Sequence, residues 1–262
     1  MSGFDPAVAA FFAGGKTTAG LDSGVDTVFD FSLYSALRNV ILHGAPATLL
    51  EHVLQQDWLF PHPDWLVTFL GNHDTRRFMG EAGATPEKLN LAFALLLTMR
   101  EIPQIYAGDE IGMPGGDDPD NRRDFPGGFP GDSRSVFTAE GRATDEQKVY
   151  VQVRNLLHLR QQHPALRRGR YVHIFSDEHT LVYVRDFRES QVDKATQHRE
   201  RLLMVMNNAG ESRTVEIQTR DTLLADTKTL SRVMADRDAA VSPGPKLKVE
   251  LPAKSLSIYL VE

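Results

Sequence analysis

The stretch "WLVTFLGNHDTRRF" (65–78) decides how this sequence is read. An apolar, β-rich run from Trp65 to Leu70 stops at Gly71, and Asn72, His73 and Asp74 follow at once. Such a short apolar run suits a strand buried on both faces. In parallel α/β architectures, side chains at the C-terminal ends of strands converge on the ligand side. An imidazole and a carboxylate in that position are candidates for chemistry. Taken alone, the pair fits a hydrogen-bonded structural corner equally well.

Outward from this stretch, strand-like and helix-like runs alternate between about 25 and 165. "VDTVFDF" (25–31) reads as a strand, and "LYSALRNVILHG" after it as a helix, with Tyr34, Leu37 and Ile41 on one face and Gly44 as its stop. In "TPEKLNLAFALLLTMR", Thr85 suits an N-cap and Pro86 the first helical position, ahead of Leu89, Phe93, Leu96 and Met99. "IPQIYAGDE" (102–110) is a third strand ending in Gly and two acids, Asp109 and Glu110. "TDEQKVYVQVRNLLHLRQQH" (144–163) opens on a Thr144…Gln147 capping-box pattern and carries Val149, Val153, Leu156 and Leu157. This βαβαβα order implies parallel strands covered by helices.

After about 168 the pattern changes. "RYVHIF", "TLVYVRDF", "RLLMVMNN", "SRTVEIQT", "KLKVEL" and "SLSIYLVE" are short runs, several of them alternating, with polar or turn-forming stretches between. They predict an antiparallel β-sandwich over 168–262, following an α/β domain over 1–167. The charged stretch 188–202 reads as a solvated loop between two strands.

Composition narrows the class. The chain has 262 residues, 41% of them hydrophobic and 24% charged, as in soluble globular proteins. A formal charge of −6 without a basic stripe argues against nucleic acid as a partner. No apolar run reaches the roughly 18 residues of a membrane span. "MSGFDPAVAA" lacks the basic start and apolar core of a signal peptide, which tilts the expected compartment toward the cytoplasm. Without cysteine there are no disulfides and no thiolate metal sites.

Several segments together resemble one family. "FLGNHDTRRF" is similar to the fourth conserved segment of the α-amylase family (glycoside hydrolase family 13), and "IPQIYAGDEIGM" (102–113) to its eighth-strand segment. "DDPDNRRDFPGGFPGDSRSVF" (117–137) resembles the following loop in the cyclomaltodextrinase/neopullulanase group. "VFDFSLYSALRNV" matches the surroundings of the sixth strand. "RNLLHLRQQHPALRRGR" matches the last barrel helix and the link into a C-terminal β domain. The resemblance implies the part of a (β/α)8 barrel from about the sixth to the eighth strand, then the sandwich. It makes Asp74 the carboxylate that stabilises the transition state and His73 a donor to sugar hydroxyls, with Asn72, Arg122 and Asp118 bordering substrate. Asp109 and Glu110 more plausibly brace the barrel mouth. Arg76 and Arg77 read most simply as exposed ion-pairing residues. An adjacent His-Asp pair also marks metal phosphohydrolases, but there it lies on helices with further His ligands, which find no match here.

The resemblance also exposes a gap. A retaining glycosidase needs two carboxyl groups about 5–5.5 Å apart, one as nucleophile and one as acid/base. The family carries the nucleophile in a Gly-x-Arg-x-Asp segment on the fourth strand and the acid/base Glu on the fifth. The sequence contains neither, and residues 1–24 resemble the stretch just past the fifth strand. The expectation is an α-glucan hydrolase (of cyclodextrins, maltodextrins or pullulan, with retention) whose present chain is inactive alone. Whether this chain by itself is an enzyme stays open. The alternative is a non-catalytic carbohydrate-binding or interaction protein on a degenerate barrel. Unpaired barrel edges, with Val67, Phe69, Ile102 and Ile105 short of packing partners, would make this part marginal and leave the sandwich to fold independently. The partners expected are an α-glucan oligosaccharide and either an N-terminal barrel fragment or further copies of the chain. The chemistry needs no cofactor. Some family members bind calcium, and Asp117, Asp118 and Asp120 form an acidic cluster for which a hydrated loop is the plainer reading.

Overall fold

A computed structural model describes residues 6–100, 102–189, 199–235, 241–242 and 246–262. Most of the expected solvated stretch at 188–202 lies outside the described residues, but Arg199 to Leu202 already belong to a strand. The first part contains α1 (Pro6–Phe12), α2 (Phe31–His43), α3 (Thr48–Leu54), β1 (Val67–Phe69), α4 (Pro86–Thr98), β2 (Ile102–Gln104), α5 (Thr144–Gln162) and α6 (Pro164–Arg168). The second contains β3 (Arg170–Ser176), β4 (Thr180–Arg188), β5 (Arg199–Asn207), β6 (Arg213–Gln218), β7 (Leu230–Ala235), β8 (Val241–Ser242), β9 (Lys246–Leu251) and β10 (Ser255–Val261).

β1 and β2 pair in parallel, with Val67 opposite Ile102 and Phe69 opposite Gln104. The expected strand at 25–31 shrinks to a single parallel bridge, Phe29 to Val67. Two backbone bonds hold it: Asp30 N–H to Val67 O at 2.8 Å, and Val67 N–H to Val28 O at 3.1 Å. It ends there because the Asp30 side chain accepts from Leu33 N–H at 2.9 Å and so starts α2. Gly44 ends α2 in the left-handed region, at φ 73°. Thr85 caps α4 with Pro86 in its first turn, as the spacing predicts. At α5 the expectation shifts by one residue. Ala143 is the cap position, and its N–H donates to the Glu146 carboxylate at 2.7 Å. Val149, Val153 and Leu156 form the buried stripe of α5, whereas Leu157 is 43% exposed. The α3 helix was not foreseen.

The second part holds a five-stranded antiparallel sheet, in the order β3-β4-β5-β10-β7, and a three-stranded one, β6-β9-β8. Both sheets feed one apolar cluster: Val182, Val184, Leu203, Val205 and Tyr259 meet Val215, Ile217, Leu247, Val249 and Leu251. The other face of the five-stranded sheet is covered too. Leu181, Tyr183, Leu202, Met204, Met206 and Ile258 join a core with Leu37 and Ile41 of α2, Leu89, Phe93 and Leu96 of α4 and Val153 of α5. That is why β4 is buried along nearly its whole length rather than alternating.

This shared core bears on the expectation of two independently folding parts: the helices and the sheet bury each other. Phe69 was expected to lack partners. It is fully buried instead, against the rings of Phe29, Phe31 and Tyr34 at 5.6, 5.1 and 4.7 Å. Ile102, at the other border of the pair, is 50% exposed.

Candidate active-site rim

The polar turn after β1 is built by its asparagine. Asn72 Oδ1 accepts the Asp74 N–H at 2.9 Å, and Asn72 N–H donates to Thr75 Oγ1, also at 2.9 Å. This is an Asx turn, the local bonding that asparagine offers an irregular backbone. Its consequence is placement: the side chains of His73 and Asp74 stand 60% and 65% exposed, while Asn72 is buried at 4%. Asn72, expected beside substrate, therefore lies beneath the rim and shapes the turn.

Asp74 sits between two basic groups. His73 Nε2 is 3.3 Å and Arg122 Nη2 3.5 Å from its Oδ1. Arg122 Nε also donates to Asp118 Oδ1 at 2.7 Å, so one guanidinium spans both carboxylates. The structure thus brings together His73, Asp74, Asp118 and Arg122 from segments more than forty positions apart in the sequence.

Two buried residues make this possible: Asn121, which the sequence did not single out, and Arg77. Asn121, 1% exposed, donates from Nδ2 to His73 O and to Thr75 O, both at 2.9 Å. It grips the backbone on either side of Asp74 and sits next to Arg122. Arg77, read as an exposed ion-pairing residue, is 2% exposed instead. Its Nε donates to Asn121 O at 2.8 Å and its Nη1 to Ala107 O and Asp109 Oδ1 at 2.9 Å, while its guanidinium lies over the Tyr106 ring. Arg77 thereby ties the loops after β1 and β2 to the segment around Asn121. Burial pushes the Asp109 carboxyl up to about 6, against the pull of Arg77. The two segments can come this close because glycines face each other: a Cβ at Gly80 would meet Gly115 O at 1.9 Å. The one available signal was the tandem arginine pair, in which adjacent residues of an extended stretch point opposite ways.

Arg76, the other member of that pair, makes an exposed two-pronged bond to Asp117, 2.5 Å on each prong. Asp120 is held by Arg123 at 2.7 Å. Each acid of the 117–120 cluster is thus claimed by an arginine, and among the described residues no group of three acids or histidines is arranged to hold a metal. The cluster does not fit calcium. Glu110 accepts from Gly108 N–H at 2.6 Å, within its own loop. A groove of about 600 Å³ opens elsewhere, between α4, α5 and the turn before β10, and none of the rim residues lines it. Among the described residues, no helix is long and apolar enough to cross a membrane.

The fold and rim define a class. The α-amylase of Geobacillus thermoleovorans, solved with acarbose, superposes with a TM-score of 0.75 at 25% identity, over 98% of this chain and 51% of that one. An Anoxybacillus α-amylase superposes at 0.73 with 23% identity, a likeness of fold alone. These are TIM-barrel enzymes. The model of the α-amylase catalytic domain matches residues 39–217, and the chain belongs to that family. It is 30% identical over 197 residues to a cyclomaltodextrinase from Geobacillus thermopakistaniensis, covering 74% of this chain and 28% of that protein. It is 32% identical over 155 residues to neopullulanase 2 of Thermoactinomyces vulgaris, covering 58% of this chain and 23% of that one. The chain therefore spans about half or less of the relatives it matches.

Proposed function

We propose that this chain is part of an α-glucan-acting glycoside hydrolase that works with retention. In this reading, residues 1–167 carry about the sixth to eighth strands of the barrel, as the parallel order Phe29–β1–β2 suggests. Residues 168–262 form a C-terminal β-sandwich domain. Asp74 is the transition-state-stabilising carboxylate, bonding hydroxyls of the sugar ring that distorts in the cleavage subsite. His73 donates to the same ring, and Arg122, 3.5 Å from Asp74 Oδ1, aims that carboxylate. The observation that carries this reading is the exposed Asp74 on its Asx turn, between His73 and Arg122 at the C-terminal end of a parallel strand.

A retaining mechanism still requires a nucleophile and an acid/base about 5–5.5 Å apart. Asp118 is claimed by Arg122, and Asp109 is buried against Arg77. We therefore propose that the isolated chain binds glucan without cleaving it and that the two missing acids come from a segment or chain carrying the rest of the barrel.

Calorimetry with acarbose and turnover of β-cyclodextrin test this together. Binding without turnover is expected, with affinity falling about tenfold or more in Asp74→Asn, a loss of roughly 1.4 kcal/mol. Turnover by the purified chain alone would sink the incomplete-site reading. The alternative, a carbohydrate-binding protein without chemistry, is favoured by Asp74 being the one suitably placed acid among the described residues. Mixing with a relative's N-terminal barrel fragment separates the two: restored hydrolysis supports the enzyme, and binding that persists without hydrolysis supports the binding protein.

A further inference from the structure

A second cluster of charge lies on the sheet rather than at the rim. Val172, Val184 and Leu203 form one cross-strand row of the five-stranded sheet, on the face turned to the three-stranded sheet. Two residues further along each strand, on the same face, come Arg170, Asp186 and Arg201. The next row pairs Arg188 directly with Arg199. Four arginines thus converge on one carboxylate: Asp186 is reached by Arg201 at 3.0 Å, Arg188 at 3.1 Å, Arg199 at 3.3 Å and Arg170 at 4.0 Å.

Like charges placed directly opposite on a sheet destabilise the pairing. Among the described residues, Asp186 is the one carboxylate in ion-pair reach of the four guanidinium groups, and its side chain is itself only 2% exposed. Its role is visible in which atoms it engages. Arg188, Arg199 and Arg201 all present Nε to Asp186, and Arg201 spends Nη1 on Leu223 O at 2.8 Å. Nε engagement fixes the plane of each guanidinium, and the terminal amino groups of Arg188 and Arg199 are further donors. Both side chains stand in solvent, at 60% and 41% exposure, as does that of Arg170 at 70%.

We propose that Arg170, Arg188 and Arg199, anchored on Asp186, form a binding site for a tetrahedral oxyanion, a phosphate. Guanidinium groups give phosphate paired N–H donors in a planar fork, and such charge-assisted bonds are the strong ones. A phosphate with close to two negative charges matches the excess of positive charge better than a singly charged carboxylate does. The ligand is either inorganic phosphate or a phosphate monoester carried by a sugar; both present the same oxygens.

Calorimetric titration of the full chain in 150 mM NaCl tests the site. Inorganic phosphate and glucose 6-phosphate are the probes. One equivalent should bind, and Arg188→Ala/Arg199→Ala should weaken it at least tenfold. Both substitutions are on exposed side chains, and circular dichroism checks that the variant is folded. The control Lys148→Ala/Lys248→Ala removes the same charge from two exposed lysines elsewhere and should leave binding unchanged. Tighter binding of the sugar phosphate assigns a monoester, and equal binding assigns free phosphate. Absence of binding, or equal weakening by the two double variants, overturns the proposal.

Discussion

Asp109 and Arg77 show how a single buried pair sets both the shape and the pH response of the rim. Truncating one partner of such a pair strands the other charge, at a cost of about 3–5 kcal/mol. Arg77→Met should therefore cost about that much at pH 8. At pH 5 it should cost less, because Asp109, already raised to about 6 by burial, can take up a proton. Urea denaturation at the two pH values measures the difference. Asp57 behaves alike: burial raises it to about 6 despite the attraction of Arg100. Its folded state binds the proton more tightly than its unfolded state. Its stabilising contribution is thus complete below the ordinary carboxylate range and is lost as pH rises through about 6. Asp57→Asn should flatten that part of the stability–pH curve relative to the parent chain. An unchanged slope would show that Asp57 is ionised throughout.

Among the elements, α4 is one that joins the two parts of the chain. Leu89, Phe93, Leu95 and Leu97 are buried along it, and its last residue, Thr98, shares a 2.6 Å hydrogen bond with Tyr183 of β4. Arg185, also on β4 and buried, donates from Nη1 to Thr98 O and from Nε to Gly169 O, both at 3.0 Å. Burial pulls this guanidinium down to about 10, still well above neutral pH, so it remains a charged clasp. Tyr183→Phe should cost about 1 kcal/mol, the usual net worth of one hydrogen bond, because Thr98 keeps its bond to Ala94 O. Thr85→Ala, which removes the cap of α4, should cost about as much. Thermal denaturation of both variants checks these values.

For the whole molecule, the continuous core decides how it unfolds. Leu37, Leu95, Val153, Tyr183, Met204 and Ile258 belong to one apolar cluster that runs from α2, α4 and α5 into the five-stranded sheet. Removing the helices would bare one face of that sheet. A single calorimetric unfolding transition is expected, and two separated transitions would refute it. Within that cooperative unit, β1 and β2 form a two-stranded pair with a half-exposed Ile102 at its border. Their amides should exchange hydrogen faster than those of β4 and β5, each paired on both sides. Mass spectrometry on peptides covering 67–69 and 102–104 reads this out.

The sequence by itself determined what rests on local rules. The apolar run ending at Gly71, the Thr85–Pro86 start of α4, Gly44 at the end of α2 and six of the eight later strands depend on near neighbours and were legible. His73–Asp74 was legible as a polar pair at a strand end, which a hydrogen-bonded corner fitted equally well; its exposure came from the tertiary structure. Only the tertiary structure decided the rest, because those choices depend on partners distant in sequence. Asp30 caps a helix rather than extending a strand. Asn121 reaches back across more than forty residues to the turn around Asp74. Arg77 is buried while its neighbour Arg76 is not, and the helices and the sheet share a core. Burial and long-range hydrogen bonding depend on where the whole chain goes, and periodicity along a segment carries no record of that.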